Sequence, residues 1–378
     1  MDRTLRRIIN RIRSFPTPAI SREGFPRSAK QRKIAVSPRK TQSQRMAQNA
    51  ASMRLQRPTH AAALCDPQPL SGYLLTMPLS PEQDILEIAQ DASVLRFSPQ
   101  AGGRLLSWTI DGEEVIHWPE HADWSVPARI RGGNPLLFPF LGRHRVDGKI
   151  GYWRDAQGTV RELPMHGFAR DLPFEPHADV HGAGLRMVLT DSEATCGSYP
   201  FGFRFEAVYE LIDPRTLDVT LTTTNTGDTP LPYYAGHHFY FALPHTQRAQ
   251  TTIELPRTER CRQLDDGSIS PAEPGEASYT LDEDRIYDRF HCLTGTPDRP
   301  VRVEAPGIDR VITIDLQRPG SVPWYSVTTW TETPQSDFYC VEPWLGLPDA
   351  IHNGRGLRWL EPGQTETAAL RITVEKTS

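Results

Sequence analysis

The sequence predicts an all-β protein whose body is one large antiparallel sandwich or barrel. Three observations carry this. Apolar and polar residues alternate with period two in several runs. Short runs of this kind are separated by Gly, Pro, Asp and Asn from about residue 83 to the C-terminus. Long amphipathic stretches with helical spacing are nearly absent, and strands without intervening helices stack as sandwiches or close as barrels.

The runs are explicit. Phe203, Phe205, Ala207, Tyr209 and Leu211 alternate with Arg204, Glu206, Val208 and Glu210. Leu217, Val219 and Leu221 alternate with Asp218, Thr220 and Thr222, and Ala368, Leu370, Ile372 and Val374 with Ala369, Arg371, Thr373 and Glu375. Each reads as a strand with one face in a core. Asp111-Gly112, between two apolar runs, is a hairpin signal. Ser80-Pro81-Glu82 offers a helix start, but Ile85-Leu86-Glu87-Ile88 fits a strand equally well.

Charge divides the chain. The 378 residues carry 42 Lys/Arg against 46 Asp/Glu, a net charge of -4. Residues 1–60 alone hold 15 Lys/Arg against 2 Asp/Glu. Residues 1–76 are therefore expected to be a disordered basic leader, whether an unstructured tail, an overshoot of the true start, a transit peptide or a nucleic-acid-binding arm. Residues 77–378 are expected to be a single folded domain. Its acidic balance argues against nucleic acid as a partner of the body. No apolar run has the length of a membrane span, so no membrane partner is expected. Cys65, Cys196, Cys261, Cys292 and Cys340 are odd in number and widely spaced, which fits reduced thiols in the cytoplasm.

Four stretches place titratable residues among Gly, Pro and aromatics. They are Arg131-Gly-Gly-Asn-Pro-Leu-Leu-Phe-Pro-Phe-Leu-Gly-Arg143, Leu163-Pro-Met-His-Gly-Phe-Ala-Arg170, Tyr233-Tyr-Ala-Gly-His-His-Phe-Tyr-Phe241 and Cys340-Val-Glu-Pro-Trp-Leu-Gly346. Glu342 shares strand parity with Phe338 and Cys340, so it faces the same way as two apolar residues. A carboxylate there is costly unless it is paired or functional. The residues alone leave a structural and a catalytic role open. His166 fits a packed core histidine as well as a site. His237 and His238 are neighbours, so on a strand they face opposite ways and at most one serves a given site. Arg143 and Arg170 suit a planar donor fork aimed into a pocket. Two histidines and a glutamate also fit a zinc or iron site, but no H-x-H with a nearby carboxylate occurs, so proton transfer is preferred and no metal is expected. No G-x-S-x-G elbow, G-x-G-x-x-G or Walker sequence is present, so neither a serine hydrolase nor a nucleotide cofactor is indicated.

Taken in order, these four stretches resemble the aldose 1-epimerase (galactose mutarotase-like) family. The resembling segments are R-x-G-x-P-x-x-F-P, H-G-F-A-R, H-x-Y-F and E-P, over roughly residues 83–375. The resemblance implies the galactose mutarotase-like supersandwich and an isomerase that interconverts the α and β anomers of a free aldose without a cofactor. It implies His238 as the acid toward the ring oxygen, Glu342 as the base toward the anomeric hydroxyl, and His166 as a group that holds or polarises the ring oxygen. Arg143, Arg170, Asp288 and Asn134 are the expected substrate-binding residues. The chemistry agrees: opening a cyclic hemiacetal removes one proton from O1 and delivers one to the ring oxygen, which one carboxylate and one imidazole accomplish. A hexose-6-phosphate mutarotase, with Arg131, Arg143 and Arg170 as a phosphate pocket, is the alternative, and a non-catalytic sugar-binding or sensing module is a further one. A small-molecule sugar is the expected partner, with the chain as a monomer or homodimer.

Overall fold

The computed structural model describes residues 75–80, 83–178 and 183–377. The expected leader lies outside the described residues except for its last two, because the first strand, Leu75–Ser80, begins at Leu75 and pairs with Gln83–Gln90. The stretch after Pro81 is thus strand, where a helix start was the competing expectation.

Two large antiparallel sheets make the body. One has thirteen strands and its main path runs from Leu75–Ser80 through Arg104–Ile110, Glu113–Ile116, Phe239–Ala242, Phe338–Trp344 and Ser326–Trp330 to Glu273–Pro274. The other has nine, centred on Phe203–Asp213, Thr216–Asn225 and Thr365–Glu375. The expected Asp111-Gly112 hairpin is present. Ile110 pairs with Glu113, and Asp111 and Gly112 both have positive φ (54° and 81°), as a tight right-twisted hairpin turn requires.

Burial explains which strands were readable. Along Phe203–Asp213 buried and half-buried positions alternate, because one face packs inward and the other meets water. Phe338–Trp344 is buried at every position. Tyr339 and Val341 join the main core, while Phe338 and Cys340 pack with Tyr240 and Trp330 on the opposite face. The sheets meet through contacts such as Phe97 on Tyr209 (ring centres 5.2 Å apart) and Phe138 stacked on Phe205 (4.3 Å). Emptying the Phe138 position would cost about 3–5 kcal/mol. Among the described residues, no helix is long and apolar enough to cross a membrane.

Candidate active site

Strand register builds the centre of the site. Gly236 pairs with Trp344, and Phe239 with Val341, which sets His238 directly opposite Glu342 on adjacent antiparallel strands. His238 Nδ1 lies 3.5 Å from Glu342 Oε1. The parity left open by the sequence is resolved. His238 stacks on Tyr240 (4.7 Å) on the site face, while His237 is fully buried against Phe239 (4.8 Å) and Trp324 (5.6 Å). Burial holds His237 at a pKa of about 3. It is a core residue.

The glycine-rich stretch serves this strand from the side. Leu136–Leu137 pairs with Gly236–His237. Gly133 has φ 72°, and a Cβ there would lie 2.2 Å from the Leu105 carbonyl oxygen, so only glycine fits. Asn134, fully buried, follows. Its Oδ1 accepts the His238 backbone N–H (2.8 Å), and its amide donates to the Tyr209 hydroxyl (2.8 Å) and lies 3.0 Å from His237 Nδ1. All its polar atoms are engaged inside the protein. The expectation that Asn134 contacts substrate therefore gives way to a positioning place: it fixes the backbone that carries His238.

His166 sits beside the pair, its ring centre 5.7 Å from that of His238 and 5.9 Å from that of Trp344. Its φ is 67°, an uncommon conformation for a residue with a Cβ, and such strain concentrates at functional positions. The next residue, Gly167, allows the turn: a Cβ there would lie 2.1 Å from the Phe138 carbonyl oxygen. The Gly142 backbone N–H donates to His166 Nδ1 (3.1 Å). In the neutral ring the proton is then on Nε2, leaving that nitrogen a donor. Burial, then the charges of Arg170 and His238, push His166 well below the usual histidine range.

Three arginines converge on the same place. Arg170 is buried and gives one N–H to the Met165 carbonyl (2.6 Å). Arg131 donates to Glu332 (2.9 Å) and lies over the Trp330 ring (5.7 Å). Arg104 opens the strand Arg104–Ile110 and is 1% exposed, yet its one side-chain bond is from Nη2 to the Pro127 carbonyl (3.0 Å). Its Nε and Nη1 have no hydrogen-bond partner among the described residues. Burial, with Arg170 and Arg131 nearby, pulls its pKa down to about 10. Arg104 was not foreseen. One arginine at the head of an apolar strand reads as a surface charge, and only the fold sets it beside Arg131 and Arg170.

The electrostatics favour uncharged forms at the centre. Burial pushes Glu342 well above the usual carboxylate range, and Asp288 adds to it. Burial pushes His238 well below the histidine range, followed by repulsion from Arg170, Arg131 and Arg104. Both directions favour the neutral carboxyl and the neutral imidazole in the unliganded protein. Asp288 (φ 52°) lies at the exposed rim. Loss of water raises its pKa, and Arg143, also at the rim, opposes that. The fold therefore gathers His238, Glu342, His166 and Arg170 at one centre, with Asp288 and Arg143 within its electrostatic reach.

The Aldose 1-epimerase family model matches residues 84–373. A curated relative from Escherichia coli (strain K12), named "Putative glucose-6-phosphate 1-epimerase", is 24% identical over 266 residues, covering 69% of this chain and 83% of that protein. The Escherichia coli protein named "Uncharacterized protein YphB" is 29% identical, covering 60% of this chain and 91% of its own. Among solved structures, the Slr1438 protein from Synechocystis sp. PCC 6803 is similar with a TM-score of 0.66 at 24% identity, covering 78% of this chain and 96% of its own. A galactose mutarotase related enzyme from Lactobacillus acidophilus gives 0.65 at 23%, covering 78% and 98%. These two establish the likeness of fold.

Proposed function

The chain belongs to the aldose 1-epimerase family, and we propose that it interconverts the α and β anomers of an aldose by acid/base opening and reclosure of the ring. The observation that carries this reading is the buried His238–Glu342 pair, 3.5 Å apart and opposed by strand register.

In the forward direction Glu342 takes the proton of the anomeric hydroxyl, the C1–ring-oxygen bond breaks, and His238 delivers a proton to the ring oxygen. His166, with its proton on Nε2, donates a hydrogen bond to that oxygen as charge develops. Rotation about C1–C2 and reclosure on the other face reverse both transfers. The chemistry needs Glu342 ionised and His238 protonated, which is the same single proton moved across the pair. Asn134 keeps His238 in place through its backbone, and Arg143, Arg170 and Asp288 hold substrate hydroxyls or charge.

A second reading, of substrate class, is favoured by one observation. Arg104, Arg131 and Arg170 crowd the site, and two buried nitrogens of Arg104 are without a partner among the described residues. Arginine forks match phosphate oxygens. A sugar phosphate docked there would relieve the repulsion that depresses His238, and so raise the pKa of the acid as the substrate binds. The name of the Escherichia coli relative is consistent with it. Polarimetry of α-glucose, α-galactose and α-glucose-6-phosphate with purified protein tests both readings. Accelerated mutarotation of any supports the first, and a strong preference for the phosphate supports the second. Acceleration of none overturns both.

A further inference from the structure

Cys340 has no part in the proton exchange, yet it is fully buried on the site face of the strand that carries Glu342, two residues away. Its opposite neighbour in the register is Tyr240, and that of Glu342 is His238. One ligand atom from each of His238, Cys340 and Glu342 lies within 4.8 Å of the other two. His238 Nδ1 and Glu342 Oε2 have no hydrogen-bond partner among the described residues. Three donors of mixed type are thus gathered in one place, with His238 Nδ1 and Glu342 Oε2 uncommitted among the described residues.

We propose that His238, Cys340 and Glu342 form a binding site for one zinc ion, and that its occupation switches the site off. Imidazole, thiolate and carboxylate are each zinc ligands, and three protein ligands with one open position are an ordinary zinc arrangement. Bonds of about 2.0–2.3 Å place tetrahedral ligand atoms roughly 3.3–3.8 Å apart. The His238–Glu342 separation of 3.5 Å already fits. The widest separation closes with a movement of about 1 Å, within the reach of side-chain rotation. Magnesium and calcium require oxygen ligands and do not suit this set.

The charges are balanced. Zinc displaces the thiol proton of Cys340 and any proton on Glu342 to solvent, so the bound dication is met by two anions. Burial, then Glu342 and Glu332, disfavour the thiolate, which Arg131 and Arg248 favour, and the charge of Asp288 acts on Glu342. Arg104, Arg131 and Arg170 repel a cation at His238, with Arg131 already engaged by Glu332. With His238 Nδ1 and Glu342 both on the metal, neither transfers a proton. The inhibition, though not the binding, rests on the proposed function.

The test uses the full chain stripped with a chelator. Zinc titrated against a coloured competing chelator should bind at one equivalent, and magnesium should not. Cobalt in the same site should give the near-ultraviolet charge-transfer band of a thiolate–cobalt bond. Cys340→Ala should abolish that band and weaken zinc binding by more than the 10–100-fold or so typical of losing an outer-shell partner. It should also keep its mutarotation in zinc-free buffer and escape inhibition by zinc. A cobalt complex without the thiolate band, or equal zinc affinity in wild type and Cys340→Ala, overturns the site. If Cys340→Ala does not fold, Cys340→Ser decides by the same spectrum, since the Cys261 and Cys292 thiols, 3.6 Å apart, could give a band of their own in the wild type. Absence of mutarotation on every sugar defeats the proposed function and leaves the zinc titration standing, so the two failures are distinguishable.

Discussion

Replacing Arg104 by methionine separates a phosphate-binding role from a structural one. The methionine keeps most of the apolar stem and removes a charge that is 1% exposed. In the folded protein the loss is one bond, to the Pro127 carbonyl, worth about 1 kcal/mol. It is offset because a buried charge no longer has to be desolvated. With a phosphorylated sugar the loss is larger. Nε and Nη1 are both free to donate, and each hydrogen bond to a charged partner contributes about 1.5–3 kcal/mol. One such bond corresponds to roughly a 10–150-fold fall in kcat/KM on glucose-6-phosphate. On glucose, which carries no anion, the change should stay within about threefold. Removing one of the three cations also raises the His238 pKa, so the pH profile on glucose should shift upward. The assay is polarimetry of both α-anomers over a pH series. Equal losses on the two sugars, or no loss on the phosphate, would refute the reasoning and make Arg104 a packing residue.

Asn134→Ala should orphan the His238 N–H and the Tyr209 hydroxyl, at about 1–3 kcal/mol each, and lower kcat through the displaced His238. A raised KM with unchanged stability would instead restore Asn134 as a substrate ligand. Acid should unfold the protein through its buried histidines. His144, His237 and His291 are held at pKa values of about 3, so as pH falls below about 6.5 the unfolded chain gains protons that the folded one refuses. Stability should fall from about pH 6.5 toward 3, by about 4 kcal/mol in total from these three between pH 7.5 and 5.5. Urea titrations at those two values check this, and equal midpoints would contradict it. Dialysis against EDTA should leave the mutarotation rate unchanged or raised, whereas a loss restored by added zinc would make the metal essential.

The fold was legible where one strand face is wet. Phe203–Asp213 and Thr365–Glu375 announce themselves by alternation because water sets their outer residues. Phe338–Trp344 does not alternate, because its second face is the site, so only the misplaced charge of Glu342 marked it. The candidate site was legible where a residue was out of character with its neighbours, as Glu342 and His166 are. It was illegible where long-range register decides. Alternation does not distinguish His237 from His238, and only the H-x-Y-F resemblance chose between them before the pairing of Gly236 with Trp344 fixed their faces. Arg104 gains meaning only when the fold brings its charge together with those of Arg131 and Arg170. Asn134 was expected to bind substrate, and the fold buries it with its polar atoms bonded inside.

The central claim is that Glu342 and His238 open and close the sugar ring by taking one proton and delivering another. The most direct measurement is the mutarotation rate of Glu342→Gln, His238→Asn and the double variant, by polarimetry on whichever α-anomer the wild type prefers. Each single change should lower turnover by about 10²–10⁴-fold. The double change should cost far less than the product of the two, because the residues act as a unit. His237→Asn, on the opposite face, should keep its rate. Near-normal mutarotation by Glu342→Gln, or inactivity of His237→Asn with an active His238→Asn, would contradict the account.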